Sequence, residues 1–166
     1  MIEQTLDITT AAGQMETFSC RPERDGPFPA VLLLMDAPGI REELKDMARR
    51  LGTVGYYVLL PNLYYRAGRG TIFGPDVLEE GSAERARMRA VRTKMTIPPV
   101  MDDVAAMLAF IGSQAEIKRG PVGCHGYCMS GPTPWPRQRA IRIASPPHPF
   151  TGPGSSATLR KAHIFH

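Results

Sequence analysis

The chain has 166 residues, 43% of them hydrophobic and 22% charged, with a formal net charge of +4; this is the composition of one globular domain, not of a fibrous or low-complexity chain. No apolar run approaches the roughly 18 residues of a membrane span, and Cys20, Cys124 and Cys128 are too few for a disulfide framework. The N-terminus, MIEQTLDITT, has neither a basic region nor an apolar signal core, so a cytoplasmic location is expected.

Glu3–Thr9 and Gln14–Cys20 read as two strands joined by a turn at Ala11-Ala12-Gly13, a peripheral hairpin. A loop rich in Pro, Gly and charge follows, over Arg21–Phe28. Pro29–Met35 is then a continuous apolar run, the pattern of a central parallel strand covered on both faces. Asp36-Ala37-Pro38-Gly39 turns the chain. Arg41–Val54 is helical by period, with Leu44, Met47, Ala48 and Leu51 on one face. Tyr56–Leu60 is a second buried strand, stopped by Pro61. The resulting β-α-β unit implies parallel pairing with a right-handed crossover. Pro61–Pro75 is a loop, and Asp76–Thr96 is charged and helical in part. Pro99 opens a further helix with Val100, Val104, Met107, Leu108 and Ile111 on one face and Asp102 and Asp103 near its positive end. Pro121–Gly126 is a last strand. The order predicts an α/β fold with a parallel core.

That last strand runs into Gly126-Tyr127-Cys128-Met129-Ser130-Gly131. A buried strand followed by a glycine-flanked turn has the layout of a nucleophile elbow, in which the side chain at the apex is held exposed above the sheet edge. A cysteine at such a turn is either a small hydrophobe or a nucleophile whose thiolate is favoured by the following helix N-terminus. The flanking Gly126 and Gly131 favour the nucleophile. Cys124, inside the strand, and Cys20 read as packing residues, and His125 as a structural one.

Gly126–Gly131 resembles the elbow of the dienelactone hydrolases, a cysteine branch of the α/β-hydrolases. Three further stretches agree in order. Val31–Met35 followed by Asp36-Ala37-Pro38-Gly39-Ile40 resembles the family's strand and oxyanion loop. Pro61-Asn62-Leu63-Tyr64-Tyr65-Arg66 resembles its P-D-L-Y-x-R segment, and the helix carrying Asp102 and Asp103 stands where the family has a helix before the elbow. The resemblance implies an α/β-hydrolase-like parallel sheet over residues 1–131 and hydrolysis of a small ester or lactone. It implies Cys128 as nucleophile and the N–H groups of Ala37 and Met129 as the oxyanion hole. Asp36 stands where many members have a glutamate near the resting thiol; the alternative is a turn-capping aspartate. Arg66 resembles an arginine that pairs with a substrate carboxylate; the alternative is a solvated loop arginine. Ser130 replaces the more usual glycine and Asn62 an aspartate. No metal and no cofactor is called for, and the partner expected is a small-molecule ester or lactone, with neither nucleic acid nor membrane.

Composition changes abruptly beyond the elbow. Residues 1–131 hold 15 Lys and Arg and all 16 Asp and Glu, whereas 132–166 hold five basic residues, no acid and seven of the 16 prolines. The α/β-hydrolases place the triad acid and then its histidine after the nucleophile. Here no acid follows Cys128, and His148, His163 and His166 stand in no recognisable context. Pro132, Pro134 and Pro136 alternate where a helix should follow, and interior prolines cost about 3 kcal/mol each. Residues 132–166 therefore read as a basic Pro-rich tail, either disordered or out of frame, leaving the sheet truncated after the elbow. A change of frame after the Pro132 codon admits an alanine-rich helix and an apolar strand. The expectation is a hydrolase by family whose own turnover is doubtful. The rival reading is a non-catalytic protein that binds an acidic partner through this tail.

Overall fold

The structure, a computed structural model, describes residues 1–130 and the backbone of 141–142. Apart from the short strand at 141–142, the expectations for the tail, for a helix after the elbow and for His148, His163 and His166 fall outside the described residues.

Six strands form one sheet: β1 (Ile2–Thr10), β2 (Gly13–Arg21), β3 (Ala30–Leu34), β4 (Tyr57–Pro61), β5 (Pro121–Gly126) and β6 (Ile141–Arg142). Their order is β1-β2-β4-β3-β5-β6. The β1–β2 hairpin is antiparallel and joins the sheet through an antiparallel β2–β4 pair. β4, β3 and β5 are mutually parallel, and β6 pairs antiparallel with β5. The helices are α1 (Glu42–Thr53), α2 (Ala83–Arg92) and α3 (Ile97–Ser113). None is long and apolar enough to cross a membrane among the described residues.

The apolar runs become the central strands because each must bury both faces. Successive side chains of a strand point to opposite sides. Leu32 and Leu34 of β3 and Tyr57 and Leu59 of β4 pack on one side with Val104, Met107 and Ile111 of α3. Leu33, Met35, Val58 and Leu60 pack on the other with Leu44 and Ala48 of α1 and Met88 of α2. Two helical layers therefore cover the parallel strands, as an α/β sheet requires.

The expected elements form, with two differences. α3 begins at Ile97, so Pro98 and Pro99 both lie in its first turn, where their missing N–H groups have no intrahelical partner to lose. With that start Asp102 and Asp103, expected near the helix's positive end, lie beyond the first turn, and Asp103 is 1% exposed.

Candidate active site

β3, β4 and β5 run the same way, so their C-terminal ends share one edge of the sheet. Open α/β sheets bind ligands beyond such an edge. The register pairs Leu34 of β3 with Gly126 of β5, which carries Asp36–Gly39 and Tyr127–Ser130 out side by side. The loop after β4 brings in Asn62–Arg66.

Cys128 has φ 48° and is, among the described residues, the only non-glycine with positive φ. A β-carbon is disfavoured there by about 1–2 kcal/mol. The turn is over-determined by its neighbours. Ser130 N–H donates to the Tyr127 carbonyl at 3.0 Å, and Ser130 Oγ donates to the Met35 carbonyl at 2.6 Å. The serine that replaces the family's usual glycine thus ties the elbow to the end of β3. Gly126 permits this closeness: a Cβ there would lie 2.9 Å from Ser130 Cβ and 3.0 Å from Ser130 O, so the Ser130 backbone would have to shift to admit a side chain. Cys128 is exposed, whereas Cys20 is buried and Cys124 partly so.

Burial pushes the thiols of Cys20 and Cys124 up to about 11; at Cys20 the charge of Glu3 adds to the rise and Arg49 opposes it. At pH 8 such thiols are only about 0.1% thiolate, and the thiolate is the reactive form. In the native protein a disulfide reagent is therefore expected to titrate one thiol, Cys128, rapidly, and the other two only after denaturation. Three fast thiols in the folded chain would contradict this arrangement.

The Asp36–Gly39 turn is closed by Gly39 N–H donating to the Asp36 carbonyl at 3.3 Å. Because the peptide is planar and trans, the Ala37 N–H points away from that carbonyl. The turn is braced from outside by Phe73 N–H donating to the Pro38 carbonyl at 3.2 Å. Gly39 lies at φ 95°, with the Thr71 carbonyl oxygen 2.8 Å from where a Cβ would be. Ala37 and Met129, the two expected oxyanion donors, meet through a residue that sequence reasoning passed over. The Tyr64 hydroxyl donates to the Ala37 carbonyl at 2.9 Å and lies 3.2 Å from Met129 Sδ.

Asp36 and Arg66 are both engaged within the fold. Arg41 grips both oxygens of Asp36, at 2.6 and 2.9 Å, which raises the guanidinium pKa above its ordinary value through that hydrogen bond. This partner, five residues downstream, was within reach of local sequence reasoning. Arg66 forms a fork onto Asp103 at 2.7 and 2.9 Å. Asp103 Oδ1 also accepts from the Tyr65 hydroxyl at 2.8 Å, and that hydroxyl is 2.7 Å from Thr10 Oγ1. Arg66 is thus paired with Asp103 while its side chain keeps 32% exposure. A substrate carboxylate would have to share the guanidinium with Asp103.

The model of the "Dienelactone hydrolase family" matches residues 15–139. A protein of Methylorubrum extorquens, provisionally named a carboxymethylenebutenolidase, is 29% identical over 135 residues, covering 81% of this chain and 44% of its own length. The crystal structure of a provisionally named dienelactone hydrolase from Klebsiella pneumoniae superposes with TM-score 0.63 at 23% identity, over 76% of this chain and 50% of that one. A dienelactone hydrolase-like promiscuous phosphotriesterase from metagenomic libraries gives 0.60 at 20% identity, over 77% and 49%. At these identities the two structures speak to the fold, which is that of the α/β-hydrolases. The chain spans under half the length of the curated relatives it matches.

Proposed function

Because the chain belongs to the dienelactone hydrolase family, we propose that it attacks small carboxylic esters or lactones through Cys128, with the N–H groups of Ala37 and Met129 holding the oxyanion. The observation that carries this is the positive φ of Cys128 at the C-terminal edge of the parallel strands. A backbone disfavoured for a side chain, held by Ser130 and Gly126, is the signature of a presented nucleophile.

The thiolate sulfur attacks the carbonyl carbon, and the C=O pair moves onto oxygen beside the two N–H donors. Collapse of this intermediate then expels the alkoxide and leaves a thioester on Cys128. Deacylation needs a base and an acid to orient it. The sequence contains no Asp or Glu after Glu116, so the chain is inferred to acylate once and then stall. Asp36, held by Arg41, is the carboxylate at the mouth of the oxyanion turn, and Arg66 is retained as a contact for a substrate carboxylate that shares its fork with Asp103. The out-of-frame reading of 132–166 belongs to the same proposal; an intact frame through codon 133 in independent reads of the gene would remove it. A Cys128-dependent burst of p-nitrophenolate from p-nitrophenyl acetate tests the acylation, and a burst of equal size in Cys128→Ala would sink it.

A further inference from the structure

We propose that Tyr64 is a positioning residue for the oxyanion hole, one hydroxyl setting both the Ala37 turn and Met129. The inference rests on the acyl-transfer reading above and adds a residue to it.

The ring is fixed on several sides. Tyr64 is 1% exposed. Its N–H is held by Asn62 Oδ1 at 3.0 Å, and Asn62 N–H is itself bonded to the Glu16 carbonyl at 2.8 Å. Phe73 meets the ring edge-on, with centroids 5.6 Å apart, and the segment that carries Phe73 also braces the Pro38 carbonyl. The hydroxyl of this immobilised ring ends 2.9 Å from the Ala37 carbonyl and 3.2 Å from Met129 Sδ. It therefore joins the loop after β3 to the elbow after β5, while Ser130 Oγ joins the same two loops one layer deeper through Met35. Burial, as the largest influence, raises the phenol above its ordinary range, with smaller effects of Arg92, Asp36 and Cys128. The hydroxyl thus stays protonated and donating across the pH range in which a thiol is acylated.

Donors aimed at a developing oxyanion act through geometry that exists before the reaction. Without the Tyr64 hydroxyl the Ala37 carbonyl loses that donor, and only the Gly39 and Phe73 bonds remain to keep the turn's N–H on the oxygen. The hydroxyl is engaged with Ala37 and Met129, so its main effect should fall on reactions in which a carbonyl oxygen becomes charged.

Two reagents separate that effect from thiol reactivity in general. p-Nitrophenyl acetate acylates Cys128 through an oxyanion: the S–C bond forms, the C–O bond breaks, p-nitrophenolate leaves, and the thiol proton passes to buffer. Iodoacetamide alkylates the same sulfur by displacing iodide, with no oxyanion. Both rates are measured on the full chain and corrected by Cys128→Ala. Tyr64→Phe is expected to slow acylation about tenfold, less than the 10²–10³ for deleting a donor outright, and to leave alkylation within about twofold. Tyr65→Phe, which removes a neighbouring hydroxyl bonded to Asp103 instead, is expected to keep the wild-type ratio of the two rates. An unchanged ratio in a folded Tyr64→Phe protein overturns the inference. Should that variant not give the wild-type circular-dichroism spectrum, Phe73→Leu replaces it, keeping the hydroxyl but loosening its ring: a lower ratio supports the inference, and an unchanged one overturns it. Absence of any Cys128-dependent acylation in the wild-type chain removes the parent reading and this one together, whereas wild-type acylation with an unchanged variant ratio removes this one alone.

Discussion

Mixed with p-nitrophenyl acetate near pH 8, the chain is expected to release about one equivalent of p-nitrophenolate in a burst and then to stall, and Cys128→Ala to release none above the buffer rate. The size of the loss follows from the chemistry: Cys128 supplies the only bond made to the substrate, so its removal leaves binding and oxyanion donors with nothing to stabilise. Cys20 and Cys124 do not substitute, because burial holds their thiols protonated at this pH. Mass spectrometry of the burst product locates the acetyl group on the peptide that carries Cys128. Continued turnover that disappears in Cys128→Ala would show that the stall is wrong while leaving the nucleophile in place. A burst of equal size in Cys128→Ala would sink the nucleophile itself.

The second large effect is on stability. Asp103 is 1% exposed, its two oxygens taken by Arg66 and the Tyr65 hydroxyl. Breaking a buried ion pair by removing one partner costs about 3–5 kcal/mol, but the Arg66 side chain keeps 32% exposure and water recovers part of that. Asp103→Ala is therefore expected to lower unfolding free energy by about 3 kcal/mol. Arg66→Ala should do similar harm by stranding the carboxylate. Because the two residues share one interaction, the double variant should lose much less than the sum, a coupling of about 2 kcal/mol. Urea denaturation of the four proteins gives this directly, and additive losses would mean that the fork contributes nothing. The network joins α3 to the loop after β4 and, through Thr10, to the end of β1. Any effect of Arg66 variants on acylation must accordingly be read beside their stability.

How much of this was legible in the sequence depended on the distance over which each interaction acts. Pro29–Met35 and Tyr56–Leu60 betray the central strands because double burial writes a continuous apolar run. The elbow is likewise local: strand, Gly126, Cys128 and Ser130 lie within a few residues. Arg66 was harder. Its partner Asp103 lies 37 positions away, and no periodicity says which acid of α3 turns inward to meet it. Tyr64 stands at the tyrosine of the P-D-L-Y-x-R-like segment, but that match says nothing of where its hydroxyl points; only the parallel alignment of β3, β4 and β5 brings it to Ala37 and Met129. Asp36 and Arg41 form the intermediate case: they are five residues apart, yet the pairing depends on the fold of the turn that brings the guanidinium back onto the carboxylate.

The backbone at Cys128 has a consequence for how this position can change. At φ 48° glycine would be the more comfortable residue by about 1 kcal/mol, a cost that the proposed reactive side chain would offset. Selection for stability and selection for chemistry therefore pull in opposite directions at this single residue. Were the proposed demand for acyl transfer relaxed, a change to glycine at position 128 would relieve the backbone, and the strain at Cys128 would be the first trace of that role to vanish.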